Sequence, residues 1–199
     1  MPPSTTSRSS SRRAEAGPNG LIALHLRRSP GAAAECVRRL WDPWLDPEAV
    51  RVEHDPDGVP WARVGERRLP LSISHAGGHT AAAAHLERRV GVDLEPLRPL
   101  PPAHARYFLT AEEESALEGW GDPATATLAA WTVKEAVLKA RGRGLCDPPS
   151  SVRIRSLSQR GVELADPRIA AGCWREGDHV VAVACDGAAT LPPVEVTRG

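Results

Sequence analysis

The chain has 199 residues, 41% of them apolar, which is enough for a real core in one domain or in two small, tightly joined halves. Its 25 acidic residues balance its 25 basic ones, so no global field recruits nucleic acid or an anionic membrane. The apolar runs, such as the alanines from Ala81 to Ala84, are far too short to cross a bilayer. We therefore expect neither a nucleic-acid partner nor a membrane partner.

The cysteines and the N-terminal segment indicate the compartment. Cys36, Cys146, Cys173 and Cys185 are widely separated and form no CxxC pair, which argues against a zinc cluster and a short disulfide framework. Reduced thiols in a cytoplasmic protein are the expectation. Residues 1–19 are rich in Ser, Arg and Pro and lack the apolar segment of a secretory signal. A transit peptide could share this composition, but we predict a disordered tail.

The first half of the fold is predicted to span residues 20–97. Apolar periodicity and turn residues define its elements. In chain order, these are a strand at 21–26, a helix at 32–41, a turn at 55–58, a strand at 71–75, an extended run that ends at Ala84 after the Gly77–Gly78 turn, and the strand RVGVDLE at 89–95.

The second half is predicted to span residues 98–190. The segment from Pro96 to Pro102 contains four prolines, so it cannot continue a strand and is expected to join the halves. Asp122 as N-cap and Pro123 at the first helical position predict a long helix that ends at Gly142. Two shorter helical segments precede it, near Tyr107 and after Thr110. Strands are predicted at 152–157, 169–174 and 179–185, with a tail at 191–199. The fold class is α+β.

The sequence GVDLE at 91–95 carries a pair of acids. Successive side chains of a strand point to opposite faces, so Asp93 and Glu95 share one face, with Cα atoms about 6.6 Å apart. Two adjacent carboxylates repel each other unless a cation or a proton comes between them. For a D-x-E motif alone, two incidental acids on a solvated strand edge are the more common explanation.

The stretch WTVKEAVLK at 131–139 holds the only lysines of the chain, Lys134 and Lys139, whereas all other strongly basic side chains are arginines. An ordinary helix with a Glu135 to Lys139 pair would explain it. If Glu135 converges on Asp93 and Glu95, however, the three carboxylates form a site of hard oxygen ligands that suits Mg²⁺. Lys139 would then lie where a phosphate could reach both the ammonium and the metal.

These motifs, in their order and spacing, resemble a known family. SISH at 72–75, GVDLE at 91–95 and WTVKEAVLKARGRGL at 131–145 are similar to the elements of the 4'-phosphopantetheinyl transferases, in particular the single-chain, surfactin-synthetase-activating type. The resemblance covers about Val52 to Cys185. It implies two pseudo-symmetric α+β halves with coenzyme A in the cleft between them. The implied reaction moves the phosphopantetheine arm onto a serine of an acyl or peptidyl carrier protein and releases adenosine 3',5'-bisphosphate.

The resemblance also implies roles for individual side chains. Asp93, Glu95 and Glu135 would hold Mg²⁺ on the diphosphate of coenzyme A. Ser74 and His75 would contact its phosphates. Lys139 would stabilise the departing phosphate, and Glu135 is the nearest candidate to accept the serine proton, directly or through water. Each half contributes to this site, so a monomer could complete it.

The first half departs from the family pattern. Many members carry a lysine or arginine where Val59 stands, and that residue helps to hold the nucleotide end of coenzyme A. Arg63 is a nearby candidate to compensate. Arg28 is the candidate for the 3'-phosphate, although solvated charge at a strand end is the more common explanation for Arg27 and Arg28. This departure motivates an alternative function, a module that binds coenzyme A or a carrier protein without efficient transfer.

Overall fold

The structure is a computed structural model and describes residues 21–27, 32–40, 46–100, 102–117, 120–142, 146–159 and 161–199. Its helices are α1 (Ala32–Leu40), α2 (Pro102–Phe108), α3 (Ala111–Ala116) and α4 (Pro123–Arg141). Its strands are β1 (Ile22–Arg27), β2 (Val50–His54), β3 (Pro60–Val64), β4 (Arg67–Ala76), β5 (His79–Ala84), β6 (Val90–Pro96), β7 (Ile154–Ser158), β8 (Gly161–Leu164), β9 (Ile169–Glu176), β10 (His179–Asp186) and β11 (Val194–Arg198).

The strands form several sheets, and the chain is a mixed α+β protein. A six-stranded sheet has the order β11-β1-β5-β4-β3-β2, a three-stranded sheet the order β6-β10-β9, and β7 pairs with β8. The β1–β11 pair is parallel, and the other pairs are antiparallel. One core cluster lies between the six-stranded and three-stranded sheets, a second between the three-stranded sheet and α4, and a third under α1.

Helix α4 has the ends that the sequence predicts. The Asp122 side chain accepts a hydrogen bond from the Thr125 N–H at 2.8 Å, and Pro123 occupies the first turn. Gly142 ends the helix with a φ of 67°, in the left-handed region that glycine enters without a steric penalty. Most of the helix is buried, whereas Trp131, Glu135 and Lys139 form a half-buried stripe along one face. The stripe is the face that carries chemically active side chains.

The predicted strands are confirmed, and the terminal segment is corrected. The segment 71–75 lies within β4, and 169–174 and 179–185 lie within β9 and β10. Residues 191–199, predicted as a tail, include β11, which pairs in parallel with β1. Its VEVTR sequence is short, and the partner lies about 170 residues away along the chain, so local periodicity carries little signal for it.

The division into halves remains a prediction. Strand β6, predicted to belong to the first half, pairs with β10 from His179↔Pro96 to Cys185↔Val90. The predicted tail at 1–19 lies outside the described residues. All four cysteines are free thiols, as expected. Within the ranges that the structure describes, no helix is long and apolar enough to span a membrane.

Strand β6 and helix α4 approach each other closely at Gly91. A Cβ at this position would collide with the carbonyl oxygen of Ala136 and would come within 2.6 Å of the Ala140 nitrogen. Both obstacles are helix backbone, which cannot rotate away. The glycine therefore sets the distance between the strand with the two acids and the helix with Glu135 and Lys139.

We expect Gly91→Ala to lower the free energy of unfolding by about 3 kcal/mol or more, because the new methyl group must push α4 away from β6. Urea unfolding followed by circular dichroism measures this loss. Gly172→Ala is the matched control in β9. Its Cβ would meet the Leu191 Cδ2 at 2.8 Å, and that flexible side chain can move. Equal stability losses for the two variants would contradict the account of Gly91.

Candidate active site

Strand β6 is held along both of its edges. One edge pairs with β10, and on the other side two serine hydroxyls of β4 accept hydrogen bonds from its backbone. Ser72 Oγ accepts from the Val92 N–H at 2.9 Å, and Ser74 Oγ accepts from the Leu94 N–H at 3.3 Å. Among the described residues, β6 has no neighbouring strand on this side, and the buried hydroxyls satisfy backbone donors of this edge. The SISH segment thereby joins the two larger sheets.

Asp93, Ser74 and Lys139 form one contact cluster. The Lys139 Nζ donates to Asp93 Oδ1 at 2.7 Å, to Ser74 Oγ at 3.2 Å and to the Val92 carbonyl oxygen at 3.1 Å. Ser74 Oγ also donates to Asp93 Oδ1 at 2.9 Å. Asp93 is 5% exposed, so its charge is sheltered from water. The structure thus brings together three of the predicted site residues from β4, β6 and α4.

Glu95 lies two residues further along β6, beside Trp131 of α4. The Trp131 Nε1 donates to Glu95 Oε1 at 3.1 Å, and Arg98 lies 3.8 Å from Oε2. Burial and the negative charge of Asp93 raise the pKa of the Glu95 carboxyl, despite the opposing effects of the tryptophan and the cations. Burial and the charge of Asp93 together therefore outweigh the effects of Trp131 and the cations on this pKa.

Glu135 occupies the same stripe of α4, one turn before Lys139. Burial, followed by the charge of Asp93, raises the pKa of its carboxyl, while Lys139 opposes the rise. Glu135 Oε1 and Asp93 Oδ2 are both buried and find no hydrogen-bond partner among the described residues. Buried acceptors without partners are costly, so a proton donor or a cation at either oxygen would be stabilising.

These observations test whether the acids fit Mg²⁺. The donors are hard carboxylate oxygens, two of them unpartnered among the described residues, and the charge of Asp93 raises the pKa values of Glu95 and Glu135. In the described part of the chain, no group of three His, Cys, Asp or Glu side chains forms a ready metal-binding set. The residues fit the ion by chemistry and charge. Side-chain rearrangement would be needed to complete a three-carboxylate set.

The structure separates His75 from Ser74. Because adjacent residues of a strand face opposite sides, His75 points away from the face on which Ser74 contacts Asp93. Its ring is exposed, and Nδ1 lies 2.8 Å from the Thr80 hydroxyl. Among the predicted phosphate contacts, Ser74 and Lys139 are therefore adjacent to the acids and His75 is not. Arg28 lies outside the described residues.

Lys134, the other lysine of α4, lies in the core of the protein. Its fully buried ammonium donates to Glu113 Oε1 at 2.7 Å, to the Phe108 carbonyl oxygen at 2.6 Å and to the Val152 carbonyl oxygen at 2.7 Å. All three of its protons have acceptors. The sequence analysis missed Glu113 as the partner, although the T-x-x-E pattern at 110–113 is a capping box that marks the start of α3.

Trp120 and Leu117 are part of the core. Trp120 is 4% exposed and Leu117 is 6% exposed, and both belong to the cluster under α4. Arg63, the candidate to compensate for Val59, forms an ion pair with Glu53.

Part of the chain is similar to known proteins. Residues 89–184 match the model of the 4'-phosphopantetheinyl transferase superfamily. A segment of 104 residues is 33% identical to the "Putative 4'-phosphopantetheinyl transferase slr0495" of Synechocystis sp., over 50% of this chain and 42% of that protein. A segment of 108 residues is 33% identical to the 4'-phosphopantetheinyl transferase HetI of Nostoc sp., over 51% of this chain and 45% of that protein.

The segment that contains Asp93, Glu95, Glu135 and Lys139 thus belongs to the 4'-phosphopantetheinyl transferase superfamily. The match leaves out residues 1–88, which include Ser74, and the aligned region spans less than half the length of either curated relative.

We expect Lys134→Met to lower the free energy of unfolding by about 3–5 kcal/mol, because Glu113 would keep a buried, uncompensated charge. Chemical denaturation measures the change. The double variant Lys134→Met/Glu113→Gln should recover a large part of the loss, since it removes both charges. A double variant no more stable than Lys134→Met would contradict the assignment of an ion pair.

We expect Glu135→Gln to be more stable than the wild type at neutral pH in metal-free buffer. Because the folded-state pKa of Glu135 is raised above its usual value of 4.5, the folded protein binds this proton more tightly than the unfolded chain. The free energy of unfolding of the wild type therefore falls as pH rises from the usual value through the folded pKa, and the penalty persists above it.

Unfolding curves across a pH series measure this difference, which should shrink towards zero below the usual carboxyl pKa. Glu114→Gln, at an exposed position of α3, is the control for loss of one negative charge. A stability difference that does not change with pH would show that the carboxyl of Glu135 carries no such penalty.

Proposed function

We propose that the protein transfers the 4'-phosphopantetheine arm of coenzyme A to a serine of an apo acyl or peptidyl carrier protein and releases adenosine 3',5'-bisphosphate. The observation that carries the proposal is the contact of the Lys139 ammonium with Asp93 Oδ1, on the helix face that also bears Glu135, where Asp93 Oδ2 and Glu135 Oε1 are buried without partners among the described residues. The superfamily match of residues 89–184 supports the same reaction.

The acids would serve as the metal site. Asp93, Glu95 and Glu135 would hold Mg²⁺, which when bound supplies Lewis-acid stabilisation of phosphoryl oxygens worth several kcal/mol. The unpartnered oxygens and the raised pKa values of Glu95 and Glu135 support a cation at this position. The donor chemistry favours a hard ion, because neither cysteine nor histidine belongs to the proposed set.

Glu135 is the proposed acceptor of the serine proton. In the transfer, the serine oxygen forms a bond to the phosphorus that bears pantetheine, and the bond from that phosphorus to the bisphosphate leaving group breaks. The serine proton passes to the Glu135 carboxylate, directly or through water. Glu135 lies one helical turn before Lys139 on α4, so the proposed proton acceptor is close to the group proposed to stabilise the departing phosphate.

Lys139 is proposed to stabilise the negative charge on the departing phosphate. Phosphoryl transfer spreads charge over oxygens, so a positioned ammonium lowers the barrier electrostatically. Asp93 and the Val92 carbonyl oxygen hold the ammonium in place, and its contact with Ser74 Oγ is the longest of the three. A phosphate oxygen could replace that hydroxyl as the third acceptor. The contact of His75 with coenzyme A phosphates remains a prediction.

Incubation with coenzyme A, Mg²⁺ and a panel of apo carrier proteins, followed by mass spectrometry of the carriers, tests the proposal. We expect a mass increase of one phosphopantetheine on at least one carrier. The absence of any increase would refute the transferase, and a measured affinity for coenzyme A would then favour a binding module that does not catalyse transfer. A monomer in solution and a cytoplasmic location are further parts of the proposal.

We expect Asp93→Asn to reduce the transfer rate at least about a hundredfold, because it removes a carboxylate from both the proposed metal site and Lys139. Asp57→Asn is the matched control, in the exposed turn between β2 and β3. Circular dichroism shows whether each variant is folded. A folded Asp93→Asn protein with the wild-type rate would contradict the role of the acids.

A further inference from the structure

The six-stranded sheet has one face that is only partly covered. Helix α1 packs against the face that bears Ala62 and Leu69. The opposite face meets β6 at Ser72 and Ser74 of β4. Because side chains alternate between the two faces of a strand, Arg68 lies on the same face as Ser72, four residues before it. Arg68 is exposed, so the start of β4 presents this face to solvent.

Three arginines form a row across this exposed part of the sheet. Arg63 on β3 is directly opposite Arg51 on β2 and directly opposite Arg68 on β4. All three side chains are exposed, and we call them the arginine row. Like charges that are directly opposite on a sheet are destabilising. A feature that breaks a local folding rule in this way indicates a functional surface.

The charge of the arginine row is only partly neutralised. Glu53 pairs with Arg63, and Asp55 lies 3.9 Å from Arg68. Arg51 forms no ion pair with any of the described residues. Because exposed ion pairs contribute little to stability, the carboxylates of a partner could replace Glu53 and Asp55 at a small cost.

The ring of Trp61 holds two arginines of the row. The guanidinium of Arg68 lies 4.3 Å from the ring centroid, and that of Arg63 lies 5.8 Å from it, both within the range of cation–π contacts. Side chains that are already held in this way lose less entropy when a partner binds. Since these two cations occupy the ring, it is a poor platform for stacking a nucleic-acid base.

The spacing of the arginine row matches an acidic α-helix. Neighbouring strands are about 4.8 Å apart, so three arginines across three strands span about 10 Å. Residues i, i+4 and i+7 of an α-helix share one face and span about 10.5 Å. Residues i, i+2 and i+4 of an extended strand span about 13 Å, which is too long. A cavity of about 270 Å³ at one end of the row is lined by Ala49, Arg51, Arg63 and Gly65.

We propose that the arginine row docks an acidic helix of a protein partner, whose carboxylates at i, i+4 and i+7 pair with Arg51, Arg63 and Arg68. The inference goes beyond the proposed function and does not depend on it. Residues 1–19 of the chain do not supply such a set of carboxylates, because they contain three arginines and one acid.

Two synthetic helical peptides of equal composition and charge test the match. One carries three glutamates at i, i+4 and i+7, and the other carries them distributed around the helix. We expect the wild type to bind the first peptide about fivefold or more tightly than the second, and Arg51→Glu to lose about tenfold for the first. Fluorescence anisotropy measures both affinities. Equal binding of the two peptides would overturn the proposal.

Arg67→Glu is the matched control. Arg67 precedes Arg68 in β4 and therefore lies on the opposite face, and its replacement changes the net charge by the same amount as Arg51→Glu. Arg51 and Arg67 are both exposed, and circular dichroism shows whether each variant is folded. Arg67→Glu should keep the wild-type affinity for the first peptide. The same loss in both variants would overturn the role of the row.

Two other occupants of this surface would also refute the proposal. Binding of a single-stranded oligonucleotide of equal charge that is tighter than that of the first peptide and is abolished by Arg51→Glu would identify nucleic acid as the partner. Self-association of the wild type in sedimentation experiments that Arg51→Glu abolishes would identify a second copy of the chain.

Discussion

The ammonium group of Lys139 is the interaction on which the candidate site depends. Its contacts with Asp93, Ser74 and the Val92 carbonyl oxygen tie α4 to β6 and to β4, and thereby tie the three-stranded sheet to the six-stranded sheet. The charge balance remains incomplete, because burial and mutual repulsion still raise the pKa values of Glu95 and Glu135 beside this cation. The Lys139 ammonium therefore joins α4, β6 and β4 but does not neutralise the acids beside it, so the site attracts a further positive charge.

The fold and the site are built from the same local constraints. The absence of a side chain at Gly91 allows α4 to approach β6, and the buried hydroxyls of Ser72 and Ser74 satisfy backbone donors on the open edge of β6. Lys134 anchors the opposite side of α4 through Glu113. The two lysines of α4 thus have different roles, since Lys134 is buried in the core and Lys139 contacts Asp93.

Sequence reasoning succeeds where the signal is local. The N-cap Asp122 and the terminal Gly142 define α4, and strand alternation places Asp93 and Glu95 on one face. The same alternation predicts that Ser74 and His75 point to opposite faces of the strand, whereas the family pattern treats them together as phosphate contacts. Two features depend on tertiary packing, so no periodicity along the chain predicts them: the ion pair of Lys134 with Glu113 and the parallel pairing of β11 with β1.

The central claim is that the carboxylates beside Lys139 bind a divalent cation and the diphosphate of coenzyme A together. Isothermal titration of coenzyme A in the presence and absence of Mg²⁺ measures this coupling directly. The account predicts that Mg²⁺ tightens coenzyme A binding by about tenfold or more in the wild type and has no effect on the affinity of Glu135→Gln. A wild-type affinity that is the same with and without Mg²⁺ would contradict it.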